Sequence, residues 1–501
     1  MTANTNPLAM TNSSIAELTV PAFDAAIYRG RREHLIAQMR AAGGGVAIIA
    51  TAPERMRNAD ADYPYRHDSS FYYLSGFSEP EALLVIDART PAGVSTLFCR
   101  VKDAEREIWE GLRYGPDAAR EHFGFDAAHP FDSVNEHLPQ LLAGAPTVFY
   151  AFGAAPAFDV MVQGWIDRVR AQRRAGVTAP AQISDVRVLI DEMRVVKDDY
   201  ELSVMRRAAQ ISARAHVRTM RACRPGMREY ELEAELLYEF RRHGAQAPAY
   251  GSIVAAGANA CILHYPAGRT IARDGDLILI DAACELDGYA SDITRTFPAN
   301  GTFSGPQREL YEIVLAAQHA AVAATRPGAR FDDPHNAAVK VLAQGIRDTG
   351  LLDSDQHGTV DDIIESRAYS RFYMHRTGHW LGMDVHDCGS YRDAAALAAA
   401  RDSESSPESS SQVRSAAGSV SNSVPNATHA STPPSRVLQP NMVLTIEPGL
   451  YVRAADDIPE RYWDIGIRIE DDAIVTASGC ELITREVPVE VAQIEALMRH
   501  V

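Results

Sequence analysis

Short apolar runs bounded by turn residues, separated by stretches of helical period, dominate the first part of the chain. A helical pattern over 25–42 stops at Gly43-Gly44-Gly45. GVAIIA, ALLVID and STLFCRV then read as short buried strands, 147–151 as a further strand and 159–174 as a helix. Apolar runs of this length alternating with helices predict an α/β layer. Around Asp185 the texture changes. The pattern over 186–224 predicts two helices joined near Lys197-Asp198-Asp199 and closed by Pro225-Gly226, with another helix over 229–243. Beyond it, 252–255, 277–281, 293–297, 443–447 and 465–470 mix apolar and polar positions as antiparallel strands lining a cleft do. These patterns predict an α/β N-terminal domain over 21–190 and an α+β C-terminal domain over 191–501.

Two segments fall outside this patterning. Residues 1–20 are rich in Thr, Asn and Ser and are expected to be disordered. Residues 401–435 are serine-rich and contain no aromatic side chain. Such a stretch buries too little apolar surface to offset its ordering entropy, so a solvated insertion is expected. It should be tolerated if its ends lie close together, because the entropy of closing a loop grows slowly with its length.

Composition narrows the class. At 501 residues, 46% apolar and 23% charged, the chain is ordinary globular material, which excludes collagen, a disulfide-stapled miniprotein and wholesale disorder. With 49 Lys and Arg against 66 Asp and Glu, its net charge of −17 argues against a nucleic-acid binder. Six scattered cysteines without a CxxC pair suit a reducing compartment. The N-terminus lacks the basic and apolar regions of a secretory signal, and no apolar run approaches a membrane span. The expectation is a cytoplasmic protein with no membrane partner.

The candidate chemistry lies in the second half. Asp281 closes LILID, Asp292 sits in YASDITRTF, His379 lies in HRTGHWLGMDVH, Glu447 closes VLTIE, and Glu470 closes IGIRIE. One acid at the end of a buried strand is ordinarily an ion-pair partner or a cap. Four with one histidine would repel one another unless cations of high charge lay among them. Carboxylates bridge metals where imidazole cannot, so this ratio points to two divalent ions, a bridging hydroxide and hydrolysis. Manganese suits the set, with cobalt or zinc as alternatives.

These five residues, in this order, resemble the ligand set of the pita-bread metallopeptidases: methionine aminopeptidase, prolidase and aminopeptidase P. HRTGHWLGMDVHD, SIVAAGANACILHYP, NMVLTIEPGLYV and DIGIRIEDD are similar to the proline-peptidase branch, and aminopeptidase P in particular. YRHDSSFYYLSGFSEPEALLVID resembles the first domain of bacterial aminopeptidase P. The resemblance implies a pita-bread catalytic domain that releases the N-terminal residue from peptides with proline second. A dipeptide-restricted prolidase is the alternative, and a metal-free creatinase-like hydrolase the more distant one. It also implies a homo-oligomer, dimer or tetramer.

Residue by residue, the resemblance implies that Asp281 holds one metal, Asp292 and Glu470 bridge both, and His379 and Glu447 hold the second. Glu447 would also move the proton. His264, His375 and His386 would line the substrate pocket and act in catalysis, and Arg468 would orient Glu470 or the substrate. Gly378 and Gly382 argue against a helix that would make His375 and His379 a metal pair. Tyr265, Tyr451 and Trp380 read as pocket wall or core, Asp384 and Asp387 as loop or supporting groups, and Asp471-Asp472 as a solvated turn. Arg376 departs from the small residue usual after the first pocket histidine, and either narrows substrate preference or pairs with Asp384.

Overall fold

The structure, a computed structural model, describes residues 18–393 and 434–499. The expected disordered N-terminus and serine-rich insertion therefore lie, but for residues at their edges, outside the described residues. The chain divides into two compact units, Pro21–Arg194 and a second that begins at Val195 and takes in the described residues before Pro21. The sequence reading set this division at residue 190.

In the first unit, α1 (Ala25–Ala41) starts where the Asp24 carboxylate accepts the Ala26 N–H, satisfying a helix donor that would otherwise lack a partner. It leads through β1 (Val46–Ala50) and α2 (Ser69–Ser75) to β2 (Leu83–Asp87) and β3 (Val94–Cys99). Next come α3 (Ala104–Glu110), α4 (Gly115–Phe123), β4 (Ala127–Pro130), α5 (Val134–Leu142), β5 (Thr147–Tyr150), α6 (Pro156–Arg170), β6 (Gln182–Ser184) and α7 (Arg187–Val195). One six-stranded sheet forms, in the order β4-β3-β2-β1-β5-β6. The meander β1-β2-β3 is antiparallel; β4 joins it in parallel on one side, and β5 and then β6 in parallel on the other. Val46, Ile48, Phe98 and Val148 of the sheet pack with Leu138 of α5 and Trp165 of α6. This is the α/β layer that the apolar runs predicted.

The second unit opens with α8 (Asp199–Ala222), which Asp198 and Glu201 start with a reciprocal capping box. Then follow α9 (Glu229–Arg242), β7 (Ile253–Ala256), β8 (Leu277–Asp281), β9 (Thr294–Pro298), α10 (Gly305–Ala324) and α11 (Asp332–Asp348). The C-terminal strands are β10 (Val443–Ile446), β11 (Gly449–Val452), β12 (Ile465–Arg468), β13 (Asp471–Val475) and β14 (Cys480–Leu482). All pair antiparallel: β7-β8-β9, β10-β13-β14 and β11-β12.

The sheets are laced together where the acids sit. The Glu470 N–H donates to Thr294 O at 3.0 Å, and the Arg468 N–H donates to Thr296 Oγ1 at 3.1 Å. Register sets Asp281 opposite Thr294, and Gly449 opposite Arg468. Adjacent strand ends thus deliver carboxylates from distant parts of the sequence to one place. At the serine-rich segment, the two flanks meet: Asp393 N–H donates to Pro434 O at 3.0 Å and Arg436 N–H to Tyr391 O at 2.9 Å.

The expected solvated turn at Asp471-Asp472 is wrong. Both residues have no solvent exposure and open strand β13. Asp471 Oδ1 meets Arg295 Nη2 at 2.7 Å, and Thr484 and Gln318 donate to the same carboxylate at 2.7 Å each. These partners supply the charge and donors that a buried carboxylate needs. Arg376 pairs with Asp332 at the start of α11, not with Asp384 as one sequence alternative had it, and Arg392 reaches the other oxygen of Asp332 at 3.1 Å.

Candidate metal centre and active site

His379 is delivered by an extended segment. Trp380 bridges to Leu444, Thr445 N–H donates to His379 O at 3.0 Å, and His379 N–H donates to Thr445 Oγ1 at 3.1 Å. The chains approach so closely that a Cβ on Gly378 would lie 2.1 Å from Thr445 O. Only glycine fits, and the histidine is presented from a strand-like edge instead of a helix. The same contact steers Glu447, whose N–H donates to Thr377 O at 2.8 Å.

Asp292, His379 and Glu470 are all buried, and each offers a ligand atom within 4.8 Å of the others. Glu447 Oε1 lies 3.7 Å and Asp292 Oδ2 3.5 Å from His379 Nε2. Asp281 joins through Tyr250, whose hydroxyl stands 2.6 Å from Asp281 Oδ1 and 2.5 Å from Asp292 Oδ1. One phenol has a single proton for these two acceptors, so negative charge here is left uncompensated. Arg468 offsets part of it: Nη2 lies 2.5 Å from Asp281 Oδ2, Nε donates to Thr294 Oγ1 at 3.0 Å, and Nη1 to Tyr451 OH at 2.9 Å. Thr294 Oγ1 in turn donates to Glu470 Oε2 at 2.7 Å. The arginine thus reaches Glu470 through a threonine and not through its own side chain.

The electrostatics ask for cations. Burial first, and then the neighbouring carboxylates, push Glu470 well above the usual carboxylate range. Burial likewise raises Asp292, and raises Glu447 to about 7. Burial opposes a charge on His379, but hydrogen bonding to Asp292 and the charge of Glu447 prevail and lift it to about 9. A site that draws protons onto its acids and its imidazole is one where divalent ions would take their place. The oxygen-rich donor set with one imidazole fits manganese, cobalt or zinc chemistry.

Supporting groups that the sequence reading missed hold these candidate ligands. Asp472 accepts the Asp292 N–H at 3.1 Å and the Ser291 hydroxyl at 2.8 Å. Arg295, itself paired with Asp471, donates to Glu470 O at 2.5 Å. Neither Tyr250 nor Thr294 carried a sequence signal of its own. For Asp471 and Asp472 one existed, because the apolar run AIV that follows them marks a strand.

The three histidines expected to line the pocket differ. His375 Nε2 lies 2.8 Å from Tyr451 OH, and Nδ1 lies 2.8 Å from Arg376 O. Arg468 can only donate to Tyr451, so the tyrosine gives its proton to His375 Nε2 and the imidazole carries its own at Nδ1. That nitrogen is 3.6 Å from Glu447 Oε2. Burial, followed by the charge of Arg468, holds His375 neutral by depressing it to about 3. Tyr451, read from sequence as wall, is thus a polar link in the site. His386 stacks on His379 with ring centroids 3.9 Å apart. Burial first, then the charges of His379 and His264, depress His386 to about 4. His264 is exposed, in the loop after β7. Asp387 forms a wholly buried pair with Lys197 at 2.8 Å, anchoring the chain beside His386.

Comparison with known proteins meets this geometry. Residues 203–477 match metallopeptidase family M24, and residues 28–150 match the aminopeptidase P N-terminal domain. The Xaa-Pro aminopeptidase of Escherichia coli K12 is 43% identical over 472 residues, covering 94% of this chain and 97% of that one. The chain belongs to the Xaa-Pro aminopeptidases of family M24. The solved aminopeptidase PepP of Pseudomonas aeruginosa superposes with a TM-score of 0.85 at 45% identity, over 95% of this chain and 98% of that one. A zinc-substituted E. coli aminopeptidase P, solved with product, gives 0.84 at 42% over the same shares. The expected architecture, an α/β N-terminal domain with a pita-bread catalytic domain, is borne out, as is the expected class, a metal-dependent hydrolase.

Proposed function

We propose that the chain removes the N-terminal residue from peptides whose second residue is proline, with two divalent ions, manganese foremost. The observation that carries this reading is the convergence of Asp281, Asp292, His379, Glu447 and Glu470 without enough cationic side chains to neutralise them. Ions held by these five residues would polarise the scissile carbonyl and acidify a water. Asp292 and Glu470 would each help to hold both ions.

Glu447 would accept the water's proton on its carboxylate and pass it to the proline nitrogen. His264 and His386 stabilise the oxyanion, with His386 as a neutral donor. His375, neutral and protonated at Nδ1, steadies Glu447 and, with Arg468, lines the substrate side. Proline has a tertiary amide nitrogen and a fixed φ, and a preshaped pocket exploits that rigidity.

Assembly as a homo-oligomer, dimer or tetramer, belongs to the same proposal. Helix α3 buries none of its residues, and Ile108, Trp109 and Leu112 are 80%, 86% and 87% exposed. Neighbouring apolar residues left this bare suit contact with a second copy. A cytoplasmic location accords with six free cysteines. Among the described residues no helix is long and apolar enough to cross a membrane.

The test is a peptide panel of Xaa-Pro, Xaa-Pro-Xaa and Xaa-Ala-Xaa, each with Mn²⁺ or with chelator. Release of the first residue from Xaa-Pro-Xaa, lost with chelator, is expected. Cleavage of dipeptides alone makes the chain a prolidase, and full activity under chelation removes the metal.

A further inference from the structure

We propose that Glu229 is a positioning residue for His264, fixing through one buried carboxylate the loop that carries this histidine. Glu229 opens α9 and has no solvent exposure. Its Oε1 accepts from Ala256 N–H at 3.0 Å and Asn259 Nδ2 at 2.9 Å. Oε2 accepts from Tyr265 OH at 3.0 Å and Gly268 N–H at 3.1 Å. All four donors are uncharged, and all four lie on the segment 256–268. A carboxylate is costly to bury, and four donors to an ionised acceptor make strong bonds. The backbone adds Glu229 N–H to Thr270 O and Tyr230 N–H to Gly268 O, both at 3.1 Å.

What the carboxylate holds is the mounting of His264. Pro266 bridges to Ile253 of β7, turning the loop back along the sheet. Leu263 and Tyr265 pack onto Ile253, Leu279 and Tyr451, while His264 between them is exposed. Fixing the two flanking residues therefore aims the third. The loop is built tightly around the acid: a Cβ on Gly268 would lie 2.7 Å from Tyr265 OH and 2.9 Å from Glu229 Oε2. Glutamine at 229 would turn an NH₂ toward two of the donors. Alanine at 268 would push the carboxylate and the tyrosine apart.

The inference rests on the reading of His264 as a pocket residue, and the experiment separates the two. Using the full chain with Mn²⁺, kcat/KM on an Xaa-Pro-Xaa peptide is measured for Glu229→Gln, Gly268→Ala, His264→Ala and the pairs with His264→Ala, alongside bound metal. Glu229→Gln and Gly268→Ala are each expected to lower kcat/KM about 10-fold with metal content unchanged. In the His264→Ala background each should cost less than about 2-fold, because a displaced loop no longer has a histidine to misplace. Full additivity in the cycle, or wild-type kcat/KM for both single variants, overturns the role of Glu229 and leaves His264 as read. Wild-type kcat/KM for His264→Ala removes the pocket reading, and the positioning role with it. Should Glu229→Gln not fold, the Gly268→Ala cycle decides alone.

Discussion

In the N-terminal unit, strand β5 is buried from end to end and carries no charge. In the catalytic unit, strand β13 is equally buried and begins with two aspartates. Burying a valine or phenylalanine stabilises by roughly 1.5–3 kcal/mol, so the first strand explains itself. Burying a carboxylate costs several kcal/mol unless a partner repays it. Asp471 has Arg295, and Asp472 has a hydroxyl and a backbone N–H. Glu470, Asp292 and Glu447 have chiefly one another, one histidine and a few neutral donors. The difference teaches how to tell a site from a core when both are dry: a core closes its electrostatics internally, and a site leaves a remainder for its cofactor.

That contrast can be broken at several points. Asp292→Asn removes charge from the remainder and should lower kcat by about 10³-fold or more while thermal stability without metal holds or rises; wild-type turnover would defeat the metal reading. Arg295→Met leaves buried Asp471 with only Arg485, 3.3 Å from its other oxygen, and should cost about 3 kcal/mol in denaturant unfolding. An unchanged midpoint would mean that Arg485 alone suffices for Asp471. In the N-terminal sheet, Leu97→Ala is expected to cost about 3 kcal/mol by the same assay, with kcat/KM of the folded enzyme unaltered. Asp472→Asn loosens the support of Asp292 and should weaken metal binding 10- to 100-fold or so by titration, with a smaller loss of stability. At the small end, replacing residues 394–433 by an Asn-Gly turn between Asp393 and Pro434 should leave stability unchanged or raise it slightly, since the flanks are already hydrogen-bonded to each other and a shorter loop costs less entropy to close. A large loss on that deletion would give the segment a structural role.

The same contrast governs what could be read beforehand. Strands β1, β2, β3 and β5 were legible because an apolar run bounded by turns needs no partner to declare itself. Of the acids proposed to hold metal, Asp281, Glu447 and Glu470 each end such a run, and Asp292 drew notice only through its place in the set. At Asp471 the strand was legible in the AIV run that follows, but the burial of its carboxylate was not, since the arginine that justifies it lies 176 residues away and nothing local marks the pair. Arg376 shows the same blindness: a nearby acid, Asp384, was the plausible partner in one dimension, and Asp332 is the partner in three. Reading by local pattern finds hydrophobic order and misses pairwise order. Tyr451 stood between the two, its ring in the core and its hydroxyl relaying a proton preference to His375.

The paired flanks of the serine-rich segment bear on how the enzyme could be used. Where two strand-like ends are tied by backbone hydrogen bonds on either side of an interruption, the fold is indifferent to what the interruption contains. Residues 394–433 are therefore an address at which a reporter, an affinity handle or a whole folded module could be spliced into the chain. Such cargo would sit internally, leaving both termini as they are.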